Sequence, residues 1–312
     1  MSYHKGKEFP TALAAREPAA TPDTSDGTLK LAMQRSGRLT DDTLGLLRSV
    51  GLSVESYGQR LFADCRNFPL SLLYGRDDDI PEYVASGTVD LGVVGQNLLY
   101  EEGVDVAEIL PLGFGYCKLV LAAHKDSATT GAADLQGKRI ATSYPRSAAR
   151  FFAEQGVEVE IVTLSGSVEV APALGLADAI VELTATGSTL LLHDLHTVQV
   201  ILESEAVLVA NKQALTDPRK RQNIDRLIVR LRSAQDARQY KYVMMNAPRA
   251  ALPVIQTLTP GLKSPTIVPL NDSEWVAVHT VIKEDEFWDI IEQLRAAGAS
   301  EILVTSIEKL LL

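Results

Sequence analysis

Several features that define specialised protein classes are scarce in this chain of 312 residues. It has two cysteines, Cys65 and Cys117, which form no metal-binding or disulfide pattern, so we expect free thiols in a reducing compartment. No apolar run is long enough to span a membrane, and the N-terminus lacks the apolar core of a signal peptide. These absences predict a cytoplasmic protein without a membrane partner.

Basic residues are also in the minority. Lys and Arg number 30 against 40 Asp and Glu, which gives a formal net charge of −10 and disfavours a nucleic-acid partner. A site for phosphate groups must therefore be a local basic patch. With 46% hydrophobic and 22% charged residues, the composition is that of a globular protein, and the length suggests two or three domains.

The stretch GLADAIVELTATGSTLLL at 175–192 is the most informative part of the chain. An apolar run that reads as a buried strand is followed by residues 184–189, which hold four hydroxyls and Gly187, and then by a predicted helix. Such a turn is typical of a phosphate-binding loop, because glycine allows close approach and backbone N–H groups point into the turn. An ordinary turn with a Ser or Thr helix cap is the alternative.

A second copy of part of this pattern occurs about 90 residues earlier. Asp90 and Asp178 each follow a helix-ending glycine by three residues and precede a buried strand, which suggests two similar α/β lobes with a cleft between them. Hydrogen bonding at the start of the strand is the structural alternative for both. Asp178 and Glu182 share a strand face but lie roughly 13 Å apart at ~3.3 Å per residue, so Glu182 is the better candidate beside the loop.

Two further turns carry arginines. Strand 29–33 runs into a turn with Arg35 and Arg38, followed by a predicted helix at 40–50 with Thr40 as its N-cap. Arg76 precedes three aspartates and Pro81 at the start of another helix. Anion binding is one interpretation of these arginines, and a solvated turn or an internal salt bridge is the other.

From residue 240 the pattern predicts β-α-β-β-α-β, a ferredoxin-like unit. Residues 1–27 have no hydrophobic period and are predicted to be a flexible extension. His193 and His196 could share one face of a helix, but no third metal ligand is evident, so solvated or capping side chains are favoured.

Several blocks together resemble the long form of ATP phosphoribosyltransferase, over about residues 29 to 310. They are AMQRSGRL at 32–39, RDDDIP at 76–81, GKRIATSYP at 137–145, GSVEVAP at 166–172, DAIVELTATGSTL at 178–190, KYVMMNAP at 241–248 and GASEILV at 298–304. One departure is Glu182, where the family more often has Asp.

The resemblance implies an α/β protein whose two-lobed catalytic part is like a periplasmic binding protein, with a C-terminal ferredoxin-like regulatory domain. The implied boundaries are lobe I at 28–117 and 202–238, lobe II at 118–201, and the regulatory domain at 239–312. The implied reaction moves the phosphoribosyl group of phosphoribosyl pyrophosphate to N1 of ATP, the first step of histidine biosynthesis. The resemblance also implies Mg²⁺ carried by the substrate, feedback inhibition by histidine, and a homo-oligomer, either a dimer or a hexamer.

The resemblance also assigns residues to roles. Glu182 and Glu169 are the implied catalytic residues, next to the ribose. Phosphoribosyl pyrophosphate is expected at Asp178, Thr184, Ala185, Thr186, Gly187, Ser188 and Thr189. ATP is expected at Arg38, Arg60, Arg76, Asp90 and Tyr144. The implied histidine site has Asn246, Thr266 and Ser300.

Three other functions stay open at this point. A two-lobed solute binder would have the same lobes, but the missing export signal disfavours it. The effector domain of a transcription regulator would also have them, but the missing basic DNA-binding helix disfavours it. A catalytically inactive regulatory paralogue is the third alternative, which the intact loop disfavours.

Overall fold

The computed structural model describes residues 27–54 and 61–312. Residues 1–26 and 55–60, and with them the candidate Arg60, lie outside this range. The strands are β1 Leu29–Gln34, β2 Phe62–Asp64, β3 Leu70–Gly75, β4 Leu91–Gly95, β5 Ala107–Pro111, β6 Cys117–His124, β7 Arg139–Thr142, β8 Glu160–Thr163, β9 Ala179–Thr184, β10 Leu195–Ser204, β11 Ala206–Ala210, β12 Tyr240–Pro248, β13 Thr266–Pro269, β14 Trp275–Lys283 and β15 Ser300–Ser306. The helices are α1 Arg38–Ser49, α2 Ile80–Ala85, α3 Gln96–Glu102, α4 Pro145–Glu154, α5 Ser188–Leu192, α6 Lys212–Thr216, α7 Pro218–Arg238, α8 Leu252–Leu258 and α9 Phe287–Ala296.

The first sheet has the strand order β2-β3-β1-β4-β11-β5. Strand β1 is parallel to β3 and β4, whereas β11 is antiparallel to both of its neighbours. Every residue of β4 and β11 is buried, which explains their unbroken apolar sequences. The long helix α7 contributes Ile224, Leu227 and Leu231 to the core on one face of this sheet.

The second sheet has the order β10-β6-β9-β7-β8, with β7 parallel to β8 and β9. Its core includes Phe151 and Phe152 of α4, whose rings meet edge to face. The chain passes from the first sheet to the second between β5 and β6, and returns between β10 and β11 at Glu205. Two sheets joined by two crossings form the predicted two-lobed α/β catalytic part.

Residues from Tyr240 onward form an antiparallel sheet of order β13-β14-β12-β15, with α8 and α9 completing the predicted β-α-β-β-α-β unit. Residues of β14 alternate between buried and half-buried, because only one sheet face packs against the helices. The core on that face includes Val243, Val278 and Leu294.

One local prediction was wrong, and one alternative is excluded. Thr40 is not the N-cap of α1: the helix begins two residues earlier at Arg38, and the Thr40 hydroxyl donates to the backbone oxygen of Gln34 at 3.2 Å. His193 and His196 do not share a helix, because α5 ends at Leu192 and His196 belongs to β10. Within the described residues, none of the helices combines the length and apolar content that a membrane crossing requires.

Candidate active site

Polar turns follow the carboxyl ends of parallel strands in both lobes. In the first lobe these are the turns after β1 and β3, which carry Arg38 and Arg76. In the second lobe they are the turns after β7 and β9, which carry Tyr144 and residues 184–189. The carboxyl ends of strands in open α/β sheets are where ligands bind.

Charges from both lobes converge on Tyr144. This residue precedes Pro145 at the start of α4, and its backbone N–H donates to the Thr142 hydroxyl at 2.8 Å. Burial raises the pKa of its phenol well above the usual range. The negative charges of Glu182 in the second lobe and Asp78 in the first lobe raise this pKa further, whereas Arg38 in the first lobe lowers it. The phenol therefore stays protonated and neutral at physiological pH.

Glu182 is half-buried in β9, two residues before the loop. Burial raises the pKa of its carboxyl, opposed by the Leu183 N–H, which donates to Oε1 at 2.8 Å. The neighbouring charge of Glu169 raises the pKa further, and Arg38 lowers it. Glu169 and Arg38 therefore both act electrostatically on Glu182, although each comes from a different element.

Glu169 lies in a short 3-10 turn at Val168–Val170. Its Oε1 is 4.0 Å from His193 Nε2, so the histidine interacts with the site from the end of α5. No group of three or more His, Cys, Asp or Glu side chains among the described residues could hold a metal ion. Two neighbouring carboxylates nevertheless suit Mg²⁺, which is commonly bound by one or two carboxylates together with substrate phosphates.

Hydroxyl groups within the loop at 184–189 make hydrogen bonds that hold its turn together. The Gly187 N–H donates to Thr184 Oγ1 at 2.8 Å, and the hydroxyls of Thr186 and Ser188 are 2.9 Å apart. Gly187 has φ of +78°, a conformation that favours glycine, and a β-carbon there would meet open space. Ala185, Thr186, Ser188 and Thr189 are exposed and accessible to a ligand.

The two arginine-bearing turns of the first lobe are joined by Gln34. Its side chain donates to Asp77 at 3.1 Å and accepts the Leu39 N–H at 3.4 Å. Exposed Arg76 has no ion pair with any residue in the described part of the chain, which disfavours the alternative of an internal salt bridge. A surface cavity of about 690 Å³ beside these turns is lined by Gln34, Arg35, Tyr74, Arg76, Asp77 and Tyr83, among others.

A second cavity, of about 360 Å³, lies at the junction of the lobes. Its lining comes from α3, from the strand ends next to the crossings and from the loop, and includes Gln96, Tyr116, Cys117, Ala185 and Glu205. Ala185 of the loop is therefore next to the hinge region.

Asp90 and Asp178 both have hydrogen-bond partners within the fold. Each begins a strand, at the end opposite the cleft, and each accepts the backbone N–H of the neighbouring parallel strand: Asp90 that of Lys30 at 2.8 Å, and Asp178 that of Arg139 at 2.9 Å. Asp90 is 5% exposed and also pairs with Lys220 at 2.7 Å. These contacts favour the structural alternative for both aspartates, and their roles as ATP and phosphoribosyl pyrophosphate contacts stay predictions.

The three candidates for the histidine site are only partly together. Asn246 pairs with Ser300 across β12 and β15, and its amide hydrogen-bonds to Glu301. Thr266 lies on β13, two strands from β12, at roughly 10 Å. A small ligand bound between Asn246 and Ser300 would therefore not contact Thr266 from a neighbouring strand.

Comparison with known proteins decides the family. Residues 76–233 match the family ATP phosphoribosyltransferase, and residues 237–309 match the family HisG, C-terminal domain. The ATP phosphoribosyltransferase of Parabacteroides distasonis is 44% identical over 283 residues, covering 91% of this chain and 99% of that protein. The chain belongs to the ATP phosphoribosyltransferase family.

Other relatives agree. The ATP phosphoribosyltransferase of Bacteroides fragilis is 43% identical over 284 residues, covering 91% of this chain and all of that protein. A solved structure, the ATP phosphoribosyl transferase (HisG:HisZ) complex from Thermotoga maritima, aligns with a TM-score of 0.58 and 28% identity over 65% of this chain and 96% of that chain.

An ATP phosphoribosyltransferase is a pentosyltransferase whose substrates are ATP and phosphoribosyl pyrophosphate, and it performs the first step of histidine biosynthesis. Family membership decides against the solute binder and the regulator's effector domain.

Sequence reasoning missed Asp78 and Cys117 as neighbours of Tyr144, and Gln34 as the link between two turns. Gln34 lies in a quoted block, but nothing in the spacing indicates what its amide contacts.

Proposed function

We propose that ATP and phosphoribosyl pyrophosphate meet in the cleft between the lobes, with phosphoribosyl pyrophosphate on the second lobe, the triphosphate of ATP on the first, and the adenine of ATP reaching Tyr144 of the second. The electrostatic interaction of Arg38 with Glu182 carries this proposal, because it joins the basic turn of one lobe to the carboxylate beside the loop of the other. A reaction between two polyanions needs such a meeting point, where positioning supplies much of the rate.

In this proposal residues 184–189 hold the 5-phosphate of phosphoribosyl pyrophosphate, with exposed hydroxyls and backbone N–H groups as donors. Adenine N1 attacks C1 of the ribose, the bond from C1 to the pyrophosphate oxygen breaks, and positive charge develops on the ribose ring. Glu182, ionised, stabilises that charge from its position at the end of β9. Glu169 lies beside the ribose or the pyrophosphate.

Arg38 and Arg76 bind the triphosphate of ATP, and Tyr144 stacks on adenine with its neutral phenol ring. Substrate-bound Mg²⁺ would supply positive charge to the pyrophosphate leaving group. Glu169 and Glu182 are the carboxylates of this chain that would face the ion. Arg60 stays a predicted ATP contact outside the described residues.

The regulatory domain is proposed to bind histidine near Asn246 and Ser300 and thereby to inhibit the enzyme. We further propose that the protein works as a homo-oligomer, a dimer or a hexamer. Size-exclusion chromatography with light scattering, in the presence and absence of histidine, tests the assembly. The cytoplasmic location stays a prediction.

The test of function is the near-ultraviolet absorbance of the ribosylated adenine product. Purified protein is mixed with ATP, phosphoribosyl pyrophosphate, Mg²⁺ and pyrophosphatase, with and without histidine. We expect a rise in absorbance that histidine suppresses. A rise indifferent to histidine would overturn the regulatory proposal alone, and no rise would make the chain an inactive paralogue.

A further inference from the structure

Helix α3 of the first lobe contacts both the hinge and the second lobe. At its start, the Gln96 N–H donates to the backbone oxygen of Glu205 at 3.0 Å, and the Asn97 N–H donates to the Ser204 hydroxyl at 3.0 Å. Ser204 and Glu205 are where the chain returns from the second sheet to the first. The first turn of α3 is therefore fixed to the hinge.

The last turn of α3 contains Glu101, which is 7% exposed. Its Oε1 accepts the Arg146 N–H at 2.9 Å, and its Oε2 accepts both the Ser147 N–H at 2.8 Å and the Ser147 hydroxyl at 2.6 Å. All three donors belong to the first turn of α4, in the other lobe. A buried carboxylate is costly unless its oxygens are satisfied, and here three short hydrogen bonds satisfy them.

These bonds replace a missing helix cap. Helix α4 begins after Tyr144, whose side chain accepts no capping hydrogen bond, and Pro145 fills the first helical position. The N–H groups of the second and third helical residues are the ones that an N-cap side chain ordinarily accepts. Glu101 accepts both from across the cleft, and its negative charge is favourable at a helix N-terminus.

Neighbouring residues add to the same contact. Arg146 Nη1 lies 2.8 Å from the Glu102 carboxylate, and the Arg150 guanidinium lies 3.9 Å from the centre of the Tyr100 ring. These flanking pairs are more exposed than Glu101, so the buried cap is the specific part of the contact.

We propose that Glu101 is a positioning residue, which by capping α4 fixes the orientation of the second lobe, and of Tyr144 with it, against the first lobe. The proposal rests on the proposed function, since it assumes that the triphosphate of ATP and phosphoribosyl pyrophosphate are held by different lobes. Losing the cap frees one lobe relative to the other, which misaligns the two substrates while the phosphoribosyl pyrophosphate loop of the second lobe stays intact.

The test compares Glu101→Ala with Asp134→Ala in the full-length protein. Asp134 is a matched control, because it also accepts two backbone N–H groups and one hydroxyl, from Thr130 and Gly131, all inside the second lobe. We expect Glu101→Ala to lower kcat on the order of 10- to 100-fold with KM for phosphoribosyl pyrophosphate unchanged. Asp134→Ala should keep wild-type kcat, and Glu101→Gln, which keeps one acceptor oxygen, should be intermediate.

Hydrogen–deuterium exchange gives a readout independent of catalysis. The backbone amides of Arg146 and Ser147 should lose protection in Glu101→Ala and keep it in Asp134→Ala. Unchanged exchange, or equal losses of kcat in both variants, would overturn the proposal. If Glu101→Ala does not fold, Ser147→Ala removes a single donor and should show the same kcat effect, only smaller. An inactive wild-type protein would refute the proposed function, and the exchange measurement would still decide whether Glu101 caps α4.

Discussion

At the scale of single residues, the partly buried position of Glu182 suits its proposed catalytic role but lowers the stability of the fold when its carboxyl is ionised. Its folded environment raises the pKa of its carboxyl through burial, so ionising it costs free energy. We expect Glu182→Gln to lower kcat about 100- to 1000-fold, the range found when one group that stabilises transition-state charge is removed. Steady-state kinetics with both substrates measures this.

The same variant should be more stable than the wild type at neutral pH. Because the pKa of Glu182 is raised on folding, the group stabilises the fold below its unfolded pKa of about 4.3 and loses that stabilisation as the pH rises through the higher folded pKa. The Tm of Glu182→Gln relative to wild type should therefore increase as the pH rises from about 4 to 8.

Asp194→Asn is the matched control for that pH profile. Lys125 lowers the pKa of the Asp194 carboxyl through a hydrogen bond, so this group stabilises the fold above its unfolded pKa, the opposite sign. Its Tm relative to wild type should fall as the pH rises, with kcat unaffected. The same pH dependence in both variants would contradict the assigned environment of Glu182.

Residue types alone did not separate cleft carboxylates from structural ones. The sequence identified Glu182 correctly as a strand-end residue beside the loop, and it identified the repeat that contains Asp90 and Asp178. The function of those two aspartates depends on which end of the strand faces the cleft and on the register with the neighbouring strand. The hydrogen bonds from Lys30 and Arg139, which favour the structural alternative, become visible only in the three-dimensional pairing.

At the scale of elements, the loop between β9 and α5 depends on one internal hydrogen bond. Thr184 Oγ1 accepts the Gly187 N–H and so holds the turn closed. Thr184→Val keeps the side-chain shape and removes that acceptor, which costs about 1 kcal/mol for one hydrogen bond. We expect KM for phosphoribosyl pyrophosphate to rise about 5-fold, with KM for ATP unchanged.

Thr197→Val on the exposed part of β10 makes the same chemical change away from the loop and should leave both KM values as in the wild type. Equal effects on the two substrates in Thr184→Val would contradict the assignment of the loop to phosphoribosyl pyrophosphate alone.

Element types were predictable where the apolar pattern was clear, as in the unbroken apolar run of β4 and in the alternating residues of β14. Boundaries were less predictable where several residues compete for one role. Thr40 is a good N-cap by type, but the backbone turns earlier, at Gly37, whose φ of +140° a residue with a side chain rarely adopts. The alternative that His193 and His196 share a helix face fails because α5 ends at Leu192, sooner than its leucines suggest.

At the scale of the whole molecule, the first described residue is already attached to the catalytic part. The backbone oxygen of Gly27 accepts the Asn223 amide of α7 at 3.0 Å. We expect a variant that lacks residues 1–26 to keep wild-type kcat and KM, because the sequence assigns no catalytic residue to that segment. The absorbance assay on both proteins measures this, and a large loss of kcat would show that the segment completes the site.

The regulatory domain offers a sharper test, because its sheet separates the predicted histidine contacts. Asn246 and Ser300 are paired on adjacent strands, whereas Thr266 lies two strands away. We expect Asn246→Ala to raise the histidine concentration needed for half inhibition about 10-fold or more, since an amide that binds a charged ligand contributes roughly 1.5 to 3 kcal/mol.

Thr266→Val serves as the comparison for that measurement. If histidine binds at the strand pair, this variant should be inhibited at the same histidine concentration as the wild type. Equal loss of inhibition in both variants would mean that the ligand spans the sheet or lies between subunits. Loss in Thr266→Val alone would move the site to the β13 edge, at the opposite side of the sheet from Ser300.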